Sequence, residues 1–122
     1  MNHADYLAHD ATALAARVAA GDVTPAELLD LALAQHARVH GRVNAVVRLM
    51  EREARARVAG PLSGPLAGVP FLIKDGVQDY AGIPTTYGSR SMTNNVPARH
   101  AHVAARRGGR KPWRRVTTCL LL

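Results

Sequence analysis

Lys74 is the side chain in this sequence with the clearest chemical potential, because it directly follows the apolar run of residues 69–73 and is followed by Asp75. In open α/β sheets, ligand sites gather beyond the carboxyl ends of strands, where reactive groups are commonly held. Loss of hydration lowers the pKa of a lysine, and the resulting neutral amine can act as a general base. The structural alternative, which spacing alone favours, is an ion pair of Lys74 with Asp75 or Asp79.

Metal and thiol chemistry have little support in the sequence. His100 and His102 are two positions apart, as metal ligands on a strand can be, but no carboxylate or second thiol follows them, and the start of a solvated helix explains them better. Cys119 is the one cysteine, which allows no internal disulfide and fits a reducing compartment. We therefore expect a cytoplasmic protein that uses neither a metal nor a cofactor.

Two helices are expected before these candidates. An Ala-rich run with apolar residues four apart ends at Gly21. Residues 24–27 (Thr-Pro-Ala-Glu) then form a capping box with proline at the first helical position, which predicts a second helix over about residues 25–39, stopped by Gly41. The side chains expected to face the core are Leu28, Leu31, Ala32 and Val39.

The next segments predict alternating strands and a helix. Residues 44–48 are rich in β-branched side chains and suggest a strand, and a third helix follows from Met50 to the Gly60-Pro61 stop. Residues 69–73 are apolar without alternation, which predicts a strand buried on both faces. The order of these elements implies an α/β fold. Two ion pairs are expected on the third helix, Glu51 with Arg55 and Glu53 with Arg57.

Two stretches around Lys74 resemble the amidase signature family. Residues 64–75 read Gly-Pro-Leu-Ala-Gly-Val-Pro-Phe-Leu-Ile-Lys-Asp, and residues 80–90 read Tyr-Ala-Gly-Ile-Pro-Thr-Thr-Tyr-Gly-Ser-Arg. The Gly-Pro turn, the apolar strand, Lys-Asp and Gly-x-Pro-Thr-Thr-x-Gly-Ser occur in that order. The similarity covers roughly residues 5–98.

The resemblance implies hydrolysis of carboxylic amides by a Ser–cis-Ser–Lys triad on a mixed sheet covered by helices. Lys74 matches the family's lysine, which would accept a proton through the middle serine and so activate the nucleophilic serine. Gly68 and Pro70 would shape the entry to the strand, and Asp75 would help to fix the lysine. Gly76 departs from the larger residue usual at its position.

The serine half of such a triad is missing from the 122 residues. Ser63, Ser89 and Ser91 are the serines present, and none lies in a Gly-Gly-Ser-Ser context or a G-x-S-x-G elbow. We expect Ser89 and Ser91 to hold loop backbone by local hydrogen bonds. The sequence thus resembles the N-terminal portion of an amidase domain, truncated before its serines and inactive by itself. It does not indicate which small-molecule amide is the substrate, nor whether the intact relative is a free-standing amidase or part of an amidotransferase.

Charge divides the chain into residues 1–98, the amidase-like portion, and residues 99–122, an irregular basic tail. The first part carries nine basic and nine acidic side chains, whereas the second carries seven basic and no acidic ones, which accounts for the whole net charge of +7. The sequence has no run of about 18 apolar residues, and the tail has no amphipathic stripe. We therefore expect no membrane partner.

The tail has three possible interpretations. Its composition favours an out-of-frame translation, and we expect it to be disordered. The alternative is a nucleic-acid arm, in which Arg107-Gly108-Gly109-Arg110 contacts phosphates and Trp113 stacks on a base, but a single Arg-Gly-Gly-Arg is not specific. The third interpretation is a basic patch for acidic membrane surfaces, which the lack of an amphipathic stripe disfavours. For the chain as a whole, a further possibility is a non-catalytic fragment whose partner chain completes the sheet. Because few strands are available to cover residues 69–73, we expect marginal stability for the chain alone.

Overall fold

The computed structural model describes residues 1–104 and 119–121, and the structural statements below concern those residues. This part of the chain is rich in helix and contains little sheet. None of its helices combines the length and the apolar character needed to cross a lipid bilayer. The elements in chain order are helices α1 (His3–Ala8), α2 (Ala11–Ala20), α3 (Pro25–Val43) and α4 (Glu51–Val58), strand β1 (Phe71–Ile73), a 3-10 turn (Arg90–Met92) and strand β2 (Cys119–Leu121).

Helices α1 and α2 both begin at residues whose side chains cap the backbone. The predicted first helix is confirmed as α2, with Asp10 accepting from the backbone N–H of Ala13 at 2.8 Å and Gly21 ending the helix in the left-handed conformation. Helix α1 was not predicted, although Asn2 and Asp5 form a capping box at its start. That Asn-x-x-Asp spacing is a local signal from which α1 could have been found.

Helix α3 begins as predicted and ends later than predicted. The Thr24 hydroxyl accepts from the backbone N–H of Glu27 at 3.2 Å, and the Glu27 carboxylate accepts from the backbone N–H of Thr24 at 2.7 Å. Gly41 does not stop the helix, because α3 continues to Val43 and Asn44 closes it with φ of 47°. Asn tolerates the left-handed conformation better than most residues, so Asn44 can end the helix where a glycine usually does.

The capping box of α3 makes a testable contribution to stability. The hydrogen bonds from the backbone and the side chain of Thr24 lower the pKa of Glu27 below its usual value. A lowered folded pKa means that this contribution is complete above pH 4.5, the ordinary pKa, and is lost as the pH falls through the folded pKa. We expect Thr24→Ala to reduce the free energy of unfolding by about 1 kcal/mol at pH 7, and the difference from the parent to shrink in acid. Urea titrations at pH 7 and pH 3 measure this, and Thr24→Ser should behave as the parent does.

Helix α4 is confirmed as the third predicted helix, and one of its two predicted ion pairs is correct. Arg55 binds Glu51 at 2.8 Å and also Asp30 at 2.9 Å, which links α4 to α3 across the surface. The predicted Glu53–Arg57 pair is wrong. Glu53 binds Arg52 at 2.8 Å, and the guanidinium of Arg57 donates instead to the carbonyl of Pro61, beyond the end of the helix.

Two apolar clusters form the core. The first joins α2, α3 and the segment before β1, and its buried members are Leu14, Ala15, Val23, Leu28 and Val69. The second lies under β1, where Met50 and Ile73 are buried and Phe71, Tyr80 and Ile83 pack against them. Of the predicted core stripe of α3, Leu28 and Ala32 are buried, Leu31 packs against the first cluster, and Val39 is half-buried. Leu29, which is fully buried, was missed.

The sheet has few strands, and they are not all the segments that were predicted to be strands. Residues 44–48 do not form the predicted strand, since only Arg48 makes an isolated bridge. Strand β1 pairs in parallel with β2, with Phe71 opposite Cys119 and Ile73 opposite Leu121. Within the described residues the sheet is therefore a parallel pair rather than a mixed sheet.

One further expectation about the sheet is corrected. Leu72 is 40% exposed, so β1 is not buried on both faces by this part of the chain. In the tail, residues 102–104 are helical and Cys119–Leu121 form β2, and the irregularity of its other residues stays a prediction. The proposed nucleic-acid contacts at residues 107–110 and 113 lie outside the described residues.

Candidate active site

Lys74 lies where the sequence analysis expected it, at the first position after the carboxyl end of β1. Its backbone N–H donates to Gln78 Oε1 at 3.1 Å, and its carbonyl accepts from the backbone N–H of Gly76 at 2.9 Å, so the chain turns sharply behind the lysine. The side chain is exposed, and the described residues do not supply the desolvation expected from the sequence. Among those residues the amine has no ion pair with Asp75 or Asp79, so the structural alternative for Lys74 is not observed either.

Asp75 binds a threonine rather than the neighbouring lysine. Its carboxylate accepts the backbone N–H of Thr86 at 2.6 Å and also the hydroxyl of Thr86. That hydroxyl in turn accepts from the backbone N–H of Gly88 at 3.3 Å. The carboxylate thus fastens the turn of residues 84–88 to the chain that immediately follows β1, and Asp75 fixes the backbone beside Lys74 rather than its amine.

The Pro-Thr-Thr segment is held from its other side as well. Thr85 is 3% exposed, and its backbone exchanges hydrogen bonds with Asn95: Thr85 N–H donates to the Asn95 carbonyl and the Asn95 side-chain amide donates to the Thr85 carbonyl, both at 3.0 Å. The backbone N–H of Gly82 donates to the carbonyl of Pro97, also at 3.0 Å. The Pro-Thr-Thr motif is recognisable in the sequence, but a role for Thr85 and Thr86 was not predicted; the signal was the pair of hydroxyls that follow Lys-Asp by about ten residues.

The bond between Asp75 and Thr86 leads to a prediction for stability. Thr86→Val removes the hydroxyl donor and keeps the backbone donor, which leaves one carboxylate oxygen without its protein partner. Because a hydrogen bond to a charged group is stronger than a neutral one, we expect a loss of about 1.5 kcal/mol in the free energy of unfolding. Thr93→Val is the matched control, because the Thr93 hydroxyl donates to a carbonyl at an exposed position, and it should lose about 0.5 kcal/mol. The free energies of unfolding are measured by chemical denaturation. Equal losses in the two variants would show that the bond to Asp75 contributes no more than an ordinary neutral hydrogen bond.

Gly68 and Pro70 lie at the entry to β1. Gly68 has φ of +83°, and a Cβ atom there would lie 2.9 Å from Cγ of Pro25 and 3.1 Å from Cγ1 of Val18. The chain thus passes close to the start of α3 at this point, and two positions later Pro70 leads directly into the strand. Gly76 is buried, and a Cβ there would meet only the side chain of Lys74, at an ordinary 3.7 Å.

The serines and histidines around this region make local contacts. The Ser89 and Ser91 hydroxyls lie 2.8 Å apart and bond to each other, rather than to loop backbone as predicted. His100 Nδ1 accepts from the backbone N–H of Ala81 at 3.1 Å, and its ring meets that of Tyr80 edge-on with centroids 4.5 Å apart. Within residues 1–104 and 119–121, no three metal-binding side chains lie close enough together to hold an ion.

Two cavities lie in this region, one beside the Asp75–Thr86 pair and one beside β1. A polar cavity of about 160 Å³ adjoins the Asp75–Thr86 pair and is also lined by Val47, Arg48 and Pro84, so that one basic and one acidic side chain border it. A larger apolar groove of about 400 Å³ lies between α3 and β1. Tyr6 of α1 closes one side of this groove, and burial raises the pKa of its phenol.

Comparison with known proteins places this arrangement in context. The family described as Amidase matches residues 27–107. One of the subunits of the glutamyl-tRNA(Gln) amidotransferase of Deinococcus deserti is 42% identical over 102 residues, which cover 79% of this chain and 20% of that protein. An acylamidase of Rhodococcus erythropolis is 36% identical over 107 residues, 81% of this chain and 22% of that enzyme.

The structural comparison agrees with the sequence comparison. The structure of a 6-aminohexanoate cyclic dimer hydrolase superposes on 93% of this chain with a TM-score of 0.77 and 30% identity, over 22% of the hydrolase. The chain therefore spans about a fifth of the length of the relatives that it matches.

Proposed function

This chain belongs to the amidase family, and on that premise we propose that it supplies the lysine of an amide-hydrolysing site whose serines come from polypeptide beyond these 122 residues. The observation that carries the proposal is the position of Lys74 at the carboxyl end of β1, inside the segment that matches the family. Asp75, through Thr86, keeps the chain around that amine in one conformation.

In the proposed reaction Lys74 works as a neutral amine. It accepts a proton from a bridging serine, which takes the proton of the nucleophilic serine as that oxygen attacks the amide carbonyl. The C–N bond then breaks as the proton held by Lys74 returns through the bridging serine to the leaving amine. Water then hydrolyses the acyl-serine ester to a carboxylic acid and restores the serine hydroxyl. Because Lys74 is exposed among the described residues, the serine-bearing polypeptide must also cover it, and this desolvation would favour the neutral form.

The substrate in this proposal is a carboxylic amide. The names of the acylamidase and of the cyclic dimer hydrolase indicate hydrolysis, whereas the name of the amidotransferase relative makes it a subunit. For either kind of reaction this chain needs a nucleophile next to Lys74, and none of its three serines lies in a Gly/Ser-rich setting suited to that role. We therefore propose that the 122-residue chain alone does not hydrolyse amides.

A chimeric enzyme tests this function. Residues 1–104 of this chain replace the similar segment of the R. erythropolis acylamidase, and release of the amine from an acyl amide is followed for the chimera and for the 122-residue chain. We expect turnover by the chimera and none by the chain. Turnover by the chain alone, or a folded chimera without activity, would contradict the proposal; circular dichroism and thermal unfolding establish whether the chimera is folded.

A further inference from the structure

The apolar groove between α3 and β1 leaves one face of the strand open. Ala32, His36 and Val39 of α3 form one wall. The opposite wall consists of Pro70, Phe71 and Leu72, and residues 45 and 46 close the end. The volume of about 400 Å³ is large enough to receive several side chains from another segment.

The two faces of β1 differ in how well they are covered. Successive side chains of a strand point to opposite faces, so Leu72 lies on the face opposite Ile73. Phe71 packs against the cluster under Ile73 and also borders the groove. Met50, Tyr80 and Ile83 cover the face of Ile73. Leu72 lines the groove and remains 40% exposed. Since parallel sheets occur almost only with both faces covered, the face of Leu72 requires a covering element beyond the described residues.

The relatives indicate which polypeptide that element belongs to. They match this chain over only 20–22% of their own length, while 93% of this chain superposes on the hydrolase. The described fold is therefore similar to one part of a longer polypeptide, about four-fifths of which lies outside that part. Leu72 is two residues from Lys74, so whatever fills the groove lies beside the amine.

We propose that this groove is the docking surface for an apolar element from the serine-bearing remainder of an amidase-family polypeptide. The inference rests on the proposed function for the identity of the partner. Docking covers Leu72 and Val39, completes the second layer against β1, and places the partner's polypeptide next to Lys74. The interface is apolar at its centre, and His36 and Gln35 lie at the wall formed by α3.

Co-expression tests this surface with the chain intact. The tagged 122-residue chain is produced together with the R. erythropolis acylamidase from which the segment similar to this chain has been deleted. We expect the two polypeptides to co-purify in equal amounts. Leu72→Gln and Val39→Gln should each reduce recovery of the complex by about tenfold or more, because each replaces buried apolar surface with an amide. Val96→Gln, at a 52% exposed valine outside the groove, should leave recovery unchanged.

Each outcome bears on the proposal. Helical circular dichroism of the isolated variants shows whether they are folded, and the two groove variants provide independent tests on a strand and on a helix. Failure to recover a complex, or equal recovery with the groove variants and Val96→Gln, would overturn the docking surface. A homodimer of the 122-residue chain that Leu72→Gln dissociates would also overturn the proposal, because a second copy of the chain would then occupy the groove. A complex that depends on Leu72 but hydrolyses no amide would retain the surface and reject the proposed function.

Discussion

Lys74→Arg in the chimeric acylamidase is expected to lower amide turnover by about 1,000-fold or more, as is Lys74→Met. An arginine preserves the positive charge and most of the length of the side chain, but its guanidinium remains protonated and cannot accept a proton from a serine. If Lys74 acted only as a structural cation, arginine would restore activity that methionine removes. The comparison of kcat for the two variants therefore separates a proton acceptor from an ion-pair partner.

The pH profile of the chimera gives a second readout for the same residue. A neutral lysine is required in the proposed reaction, so kcat/KM of the chimera should rise with pH on the acid side of its profile. Whatever activity remains in Lys74→Met should lose that rise. Thermal unfolding of both variants serves as the control, because a loss of turnover in a variant that keeps the melting temperature of the parent does not come from unfolding. An unchanged profile in Lys74→Met would assign the proton transfer to another group.

Gly68→Ala should destabilise the chain by about 2–4 kcal/mol, although it adds only one methyl group. Two effects combine at this position. The left-handed backbone with φ of +83° disfavours any side chain, and the new Cβ would lie 2.9 Å from the rigid ring of Pro25. Because Pro25 is the first residue of α3, relief of that contact requires α3 or the entry to β1 to move.

Gly82→Ala is the matched control for this substitution. Gly82 has nearly the same backbone conformation, with φ of +80°, and a Cβ there would meet nothing within 4 Å. The control should therefore lose only the conformational part, about 1 kcal/mol. The difference between the two variants in urea unfolding measures the contact with α3. Equal losses would show that the close approach of Gly68 to Pro25 contributes nothing to stability.

Features fixed by neighbouring residues were the ones the sequence predicted best. The start of α3 is an example, because Thr24 and Glu27 satisfy each other's backbone within one turn. The end of α3 was misplaced, since Gly41 has a high tendency to end a helix but the left-handed residue turned out to be Asn44. Likewise, Glu53 forms an ion pair with its neighbour Arg52 and not with Arg57 on the next turn of α4. Which of the two arginines it binds depends on side-chain rotamers, and sequence spacing does not determine these.

Features that depend on distant partners were predicted poorly. Residues 44–48 have the composition of a strand, but a strand forms only where a neighbour offers its backbone, and a single bridge at Arg48 is what the structure contains. Strand β2 was missed because its three residues, Cys119–Leu121, carry little local signal for a strand. It forms because β1 offers its backbone for pairing. At the candidate site, the position of Lys74 followed from its place after an apolar run, whereas the attachment of Asp75 to Thr86 requires knowledge of how residues 84–88 fold back.

The pairing of Phe71 with Cys119 joins positions 48 residues apart and has a consequence for the order of folding. Closing a loop of that length costs about 3 kcal/mol in chain entropy, more than the short connections between α2, α3 and α4 require. Contacts of such long range slow folding, whereas helices with nearby partners form early. On the ribosome, β1 is synthesised well before its partner and cannot pair until residue 121 has been added. Met50 is made before the strand and packs against Ile73 in the complete chain, so we expect it to cover one face of β1 during that interval.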